Sequence, residues 1–215
     1  MSNDRGYLVV VTAPSGAGKS TLVHNALQRL PNLTYSVSYT TRALRGQERD
    51  GCDYFFVTVE QFLKMRESGH FIECAEVHGH WYGTARHVIE EQLDNGRDVI
   101  LDIDVQGAAQ IRNLMPHAIT IFILPPSFAV LEQRLRDRNT DNRYDVETRL
   151  SNARKEVERY TEFDYLIINE DREVATQALI SVITAARYRR ECQETAALRI
   201  IKTFHEDLGG ETFHA

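Results

Sequence analysis

The stretch Ala13-Pro14-Ser15-Gly16-Ala17-Gly18-Lys19-Ser20-Thr21 constrains the fold of this chain more than any other part of it. It follows the apolar, β-branched run Leu8–Val11 and precedes a segment in which Leu22, Val23, Ala26, Leu27 and Leu30 recur at helical spacing. Strand, glycine loop, Lys-Ser and helix in that order make a Walker A phosphate loop for ATP rather than an ordinary Gly/Ser turn. The glycines let the backbone wrap a phosphate with its N–H groups, and the helix N-terminus adds partial positive charge. In this pattern Lys19 reaches the β- and γ-phosphates and the Ser20 hydroxyl holds Mg2+. The first glycine of the pattern is replaced by Ala13. That is tolerable where residue 13 sits at negative φ and no phosphate packs on its Cβ.

Three more apolar runs, Val99–Leu101, Ile119–Leu124 and Tyr165–Ile168, read with Leu8–Val11 as strands buried on both faces of a parallel sheet. Helical patterns lie between them. Ser127 is placed to cap a helix whose inward stripe is Phe128, Leu131 and Leu135, and the next helix carries Val146, Leu150, Ala153, Val157 and Tyr160. Alternating strand and helix implies an α/β domain with right-handed crossovers. The second core strand ends in Asp102 and Asp104, which period two puts on one side. Asp102 stands where a P-loop enzyme keeps its magnesium-side carboxylate, whereas Asp104 could equally cap the following helix.

The rhythm breaks between Thr34 and Asn95. Tyr35–Thr40, Asp53–Val57 and Phe71–Val77 read as strands, Thr58 and Gln61 as a capping box for a helix through Ser68, and Thr84 as the cap of a helix stopping at Gly96. A β-rich insertion between the first and second core strands is therefore expected. Phe204–Ala215, with Gly209-Gly210, reads as a frayed tail.

Composition excludes several functions. A net charge of −6 argues against nucleic acid as a partner. No apolar run approaches the roughly 18–20 residues that cross a bilayer, and the N-terminus has no signal-peptide pattern, so a cytoplasmic protein with no membrane partner is expected. Three scattered cysteines fit a reducing compartment, and Cys74, His78 and His80 lack a fourth metal ligand. Yet arginines cluster at Arg42, Arg45 and Arg49, and again at Arg134, Arg136, Arg138, Arg143 and Arg149, which suggests small anionic ligands.

The segments Ser36–Arg42, Arg45-Gly46, Asp53-Tyr54-Phe55-Phe56, Phe71-Ile72-Glu73 and Tyr82-Gly83-Thr84 closely resemble the guanylate kinases, above all their stand-alone bacterial members. So do the phosphate loop, Leu101–Gly107, and Arg134-Leu135 followed by Arg138 and Arg149, and the resemblance runs from about Tyr7 to Tyr188. It implies a P-loop NTPase-type α/β fold: a parallel sheet flanked by helices (7–33 and 97–188), an inserted β-rich GMP-binding subdomain (34–96) and a short helical lid at about 138–146. It further implies ATP:GMP phosphoryl transfer with Mg2+, giving GDP, and dGDP from dGMP; ATP and GMP are the implied partners, and a homo-oligomer stays open. Arg42, Arg45, Tyr54 and Tyr82 match the groups that hold the GMP phosphate. Ser38, Glu73, Thr84 and Asp104 match those around the guanine, with Thr84 keeping the hydroxyl of the serine found in many relatives. Lys19, Arg134, Arg138 and Arg149 match the groups around the transferred phosphoryl, and Ser20 and Asp102 the metal side. The lid of the family is Arg-Gly-rich, whereas Arg138-Asn139-Thr140 lacks that glycine.

The residue chemistry agrees. Two arginines and two tyrosine hydroxyls suit a phosphomonoester, and a buried Glu73 carboxylate can accept from guanine N1–H and N2–H2, donors that adenine does not present together. Arg134 and Arg138 are four apart and share a helix face. Two competing expectations stand beside this one. Guanylate-kinase-like binding modules recognise phosphorylated proteins but lack a working phosphate loop, which this chain retains. A related kinase of a sugar bisphosphate would not need Arg45, Tyr54 and Glu73 together.

Overall fold

The β-branched run at the N-terminus forms β1 (Leu8–Thr12), buried along its whole length. The computed structural model describes residues 5–77, 79–137 and 143–207. After β1 come α1 (Lys19–Arg29), β2 (Leu33–Tyr35), β3 (Tyr39–Thr40), β4 (Phe55–Phe56), α2 (Val59–Glu67), β5 (Phe71–Val77), β6 (His80–Ala85) and α3 (Arg86–Asp94). The chain continues through β7 (Asp98–Asp102), α4 (Val105–Leu114), β8 (Ile119–Leu124), α5 (Phe128–Asp137), α6 (Arg143–Glu156), a 3-10 turn at Val157–Glu162, β9 (Tyr165–Ile168), α7 (Arg172–Ala186) and α8 (Arg190–Asp207).

Five strands form an all-parallel sheet in the order β2-β7-β1-β8-β9. Because side chains alternate across a strand, β1 feeds two cores. Val9 and Val11 join Ile100, Ile121, Leu131, Leu150 and Leu179 on one face, whereas Leu8 and Val10 join Ile89, Leu101 and Ile111 on the other. From β1 the chain goes to β2 at one edge, returns as β7 beside β1, and then crosses to β8 on the other side of β1. Such a reversal opens a crevice at the carboxyl ends of the strands, where α/β proteins bind ligands.

A second sheet, β4-β3-β6-β5, stands beside that crevice. Gly83 of β6 lies under the Phe62 and Phe71 rings, where any Cβ would come within 2.9–3.0 Å of ring carbons. The Phe62 and Phe71 rings stack at 4.5 Å, and Trp81 stacks with Phe62 at 5.9 Å. Gln110 of α4 fixes the edge of this sheet to the core: its Oε1 accepts from the Cys74 N–H at 3.1 Å and its Nε2 donates to the Cys74 carbonyl at 2.7 Å.

The four anticipated core strands are present, as are the Thr58–Gln61 capping box and the Ser127 cap, whose Oγ accepts from the Val130 N–H at 3.2 Å. Other expectations are corrected. Tyr35–Thr40 is not one strand: Leu33–Tyr35 pairs with β7 in the large sheet, and the chain then crosses to put Tyr39–Thr40 beside β6. The strand β9 is an edge strand, so only Ile167 of its four residues is buried. Phe128 does not join the core; the Arg154 guanidinium covers its ring at 4.3 Å. Thr84 does not cap α3, which begins after Ala85, because Thr84 is still inside β6 and its hydroxyl points to Glu73. Phe204–Asp207 continue α8, since Arg190–Asp207 contains no glycine or proline to stop a helix before Gly209. The lid expected at about 138–146 lies largely outside the described residues.

Phe62 carries the packing of the small sheet. Phe62→Ala is expected to lower unfolding stability by about 3–5 kcal/mol in denaturant melts. A loss under about 1 kcal/mol would show that the Phe62–Phe71–Trp81 stack does not hold this sheet.

Candidate active site

The parallel register puts Val11 of β1 opposite Asp102 of β7, so the loop after β1 and the end of β7 meet at the crevice. Gly16 and Gly18 both take φ 92°, a left-handed backbone that favours glycine. A Cβ on Gly18 would also run into the Asn169 amide. Between these turns the loop delivers Lys19 and Ser20 to the first turn of α1. Asp102 receives both: Lys19 Nζ forms an ion pair with it, and Ser20 Oγ donates to its Oδ2 at 2.9 Å. Lys19 also donates to the Ile103 carbonyl at 2.8 Å.

The loop is braced from behind. Asn169, buried at the end of β9, donates to the Ala17 carbonyl at 2.7 Å. Arg134 of α5 donates to the same carbonyl at 3.3 Å and to the Asn169 carbonyl at 3.1 Å. Thus Arg134 holds the loop from its far side rather than facing the cavity. Arg149 of α6 does face it, with Nη1 3.4 Å from Ser15 Oγ. Arg138 lies outside the described residues.

A cavity of ≈ 290 Å3 runs from this loop to the small sheet. The loop residues Ala13, Pro14, Ser15, Gly16, Gly18, Lys19, Ser20 and Thr21 line one end, and Ser38, Arg42, Arg45, Tyr54, Glu73 and Tyr82 the other. Asp102 and Asp104 also line it. Asp104 is not a strand residue, because β7 ends at Asp102; it caps α4 through Oδ1, which accepts from the Gly107 N–H at 2.9 Å.

Glu73 is only 4% exposed. Burial raises its pKa to about 7, against the opposing pull of the hydroxyl donated by Thr84. A Cβ on Gly107 would come within 2.4 Å of its Oε2, so α4 can approach β5 this closely only with glycine there. At the other wall Arg42 is nearly buried and makes a bidentate fork with Glu48, at 2.8 and 2.9 Å. Its guanidinium also stands 5.2 Å from the Tyr54 ring centroid. Burial, with Asp102 nearby, pushes the Tyr54 phenol up to about 12, so it stays a hydrogen-bond donor at neutral pH.

Four participants were not assigned from the sequence: Glu48, Gly107, Glu156 and Asn169. Glu156 lines the cavity, and its spacing of seven from Arg149 places both on one face of α6. Gly107 and Asn169 act on elements distant in sequence, whereas Glu48 acts within its own loop, on Arg42 and on the Arg45 N–H. Where Mg2+ is concerned, the adjacent Ser20 hydroxyl and Asp102 carboxylate are oxygen donors of the kind that ion takes. No cluster of three or more His, Cys, Asp or Glu suited to a metal occurs among the described residues.

A phosphate loop at the reversal point of a five-stranded parallel sheet is the mark of the P-loop phosphotransferases, and this chain is one of them. Residues 5–186 match the family model described as guanylate kinase. The guanylate kinase of Aromatoleum aromaticum is 46% identical over 202 residues, spanning 94% of this chain and 99% of that protein. That of Thermotoga maritima is 45% identical over 183 residues, 85% of this chain and 88% of its own. The crystal structure of guanylate kinase from Anaplasma phagocytophilum has a TM-score of 0.75 at 35% identity, covering 87% of this chain and 89% of that one. The chain belongs to the guanylate kinase family, and is an enzyme of it.

The raised Glu73 pKa makes a pH test. A carboxyl whose folded pKa exceeds its unfolded value contributes stability at low pH that is lost as pH rises through the folded value. The stability of Glu73→Gln relative to wild type is therefore expected to grow by roughly 2–3 kcal/mol between pH 4 and pH 8. Denaturant melts across that range measure it; a difference independent of pH would return the carboxyl to its ordinary range.

Proposed function

We propose that the enzyme transfers the γ-phosphoryl group of ATP to GMP, giving ADP and GDP, and accepts dGMP in the same way. One observation carries the reading: a single cavity joins Lys19, Ser20 and Asp102 at one end to the buried Glu73 carboxylate and the Arg42 guanidinium at the other. The charged groups at its two ends suit two phosphorylated nucleotides brought together end to end.

On this reading the loop N–H groups and Lys19 hold the ATP phosphates. Arg42, Arg45, Tyr54 and Tyr82 cradle the GMP phosphate through charge-assisted hydrogen bonds. Ser38, Glu73 and Asp104 meet the guanine, with Thr84 orienting the Glu73 carboxylate from beneath. Guanine N1–H and N2–H2 donate to that carboxylate and so favour its ionised form, drawing off any proton that burial retains. AMP leaves the buried carboxylate without a donor, which accounts for rejection by a few kcal/mol.

The acceptor needs no general base. A phosphate monoester has a second pKa near ~6, so at pH 7 its oxygen is largely ionised and attacks the γ-phosphorus while ADP leaves. What the protein supplies is alignment and fixed positive charge from Lys19 and Arg149, with Arg134 holding the loop that carries Lys19. Mg2+ bound beside Ser20 and Asp102 would add charge neutralisation on the phosphates. Such an activity serves purine nucleotide metabolism, and a cytoplasmic site accords with it.

Lys19→Ala is expected to lower kcat by at least about 10²–10³-fold while leaving the GMP Kd within about twofold. A coupled ADP-release assay with GMP, AMP, UMP and ribose phosphates as acceptors tests the substrate assignment. Equal rates with AMP and GMP, or near-normal turnover by Lys19→Ala, would refute it.

A further inference from the structure

One carboxylate, that of Glu48, touches both arginines assigned above to the GMP phosphate. Its Oε1 accepts from Arg42 Nη2 at 2.8 Å and its Oε2 from Arg42 Nη1 at 2.9 Å. The same Oε2 accepts from the Arg45 N–H, also at 2.9 Å. In return the Glu48 N–H donates to the Arg45 carbonyl at 3.0 Å, so the Arg45 backbone is held at both its N–H and its carbonyl. A further Nη1 hydrogen of Arg42 goes to the Ala43 carbonyl at 2.7 Å. Three of the five N–H donors of this guanidinium are thus engaged within its own loop. The other two, on Nε and Nη2, form its second edge, a pair of parallel donors that matches two oxygens of one phosphate.

A carboxylate has the wrong charge for an anion site. Arg42 and Arg45 both line the cavity, and Glu48 sets one negative charge against their two positive ones. By Coulomb repulsion alone it weakens the hold on a phosphate. What it supplies in exchange is direction. An arginine–carboxylate fork is planar, so it fixes the plane of Arg42 and the aim of the second edge. The backbone of Arg45 hangs on the same oxygen, which ties the starting points of the two side chains together.

We propose that Glu48 is a positioning residue for the phosphoryl acceptor: it aims the second edge of Arg42 and fixes the backbone of Arg45, so that both meet one phosphate. This role rests on the GMP reading given above, and Glu48 itself touches no substrate.

Glu48→Gln keeps the length and one acceptor oxygen but turns an amide N–H2 towards donors, which breaks the fork. Charge and aim then predict opposite signs. Relief of repulsion alone would tighten GMP binding, whereas loss of aim weakens it. Calorimetry on the full-length protein should show GMP bound about tenfold more weakly than by wild type. The Kd for MgATP and the inhibition constant of guanosine, which lacks the phosphate, should change less than about twofold. In an Arg42→Ala background the same substitution should cost less than about threefold, because the group it aims is gone. A loop that had merely collapsed would also lose Arg45 and Tyr54, and would show the full effect there. A further measurement needs no variant: in wild-type protein, Arg42 Nη1 and Nη2 should give separate nitrogen resonances before GMP is added, because the fork stops the rotation about Nε–Cζ that exchanges them. Unchanged or tighter GMP binding by the folded variant overturns the proposal, as do an equal loss for guanosine, a full effect in the Arg42→Ala background, or averaged Nη resonances in wild type. Absence of GMP binding by wild-type protein would instead refute the functional reading beneath it.

Discussion

The carboxylate of Asp102 stands where two strands end and a helix begins, and three parts of the molecule converge on it. Lys19 arrives as its ion-pair partner and Ser20 as its hydrogen-bond donor, while the register of β1 against β7 brings the carboxylate within reach of both. With this ion pair and its bond to the Ile103 carbonyl, Lys19 has a fixed direction. Asn169 and Arg134 then grip the middle of the loop through the Ala17 carbonyl. The shape of the loop is thus determined by contacts from four separate elements.

The small sheet depends on the same frame. Its edge strand β5 is tied to α4 by Gln110, and α4 is capped by Asp104, two residues beyond the Asp102 that ends β7. One short piece of chain therefore sets both the phosphate end of the cavity and the position of Glu73, whose oxygen packs against Gly107 in the first turn of α4. The distance between the two ends of the cavity is a property of this connection rather than of a flexible linker.

Much of this could be read from the sequence. The phosphate loop was legible because its chemistry is local: glycines at special backbone angles, followed at once by Lys19 and Ser20. The core strands were legible because burial on both faces leaves unbroken apolar runs. What escaped was non-local. The two-residue strands β3 and β4 are too short for any periodicity, so Tyr35–Thr40 read as one strand although its ends belong to different sheets. Arg134 bears the right charge at the right helix position, but only tertiary packing shows that it turns to the back of the loop. Glu156 carried a usable signal, a helical spacing of seven from Arg149, that charge-based reading passed over in favour of the arginines.

The fork between Arg42 and Glu48 has a consequence for the speed of recognition. Most surface arginines sample many rotamers, and a ligand that captures one must halt that motion. Here the guanidinium is already immobile, its plane fixed by Glu48 and its face set against Tyr54. An arriving anion therefore meets a donor array of settled orientation, and encounter can proceed to docking without a search by the side chain. Glu48 also partly offsets the charge of Arg42, while Arg45, also lining the cavity, is exposed. Attraction from a distance and alignment on contact are thus divided between two neighbouring arginines.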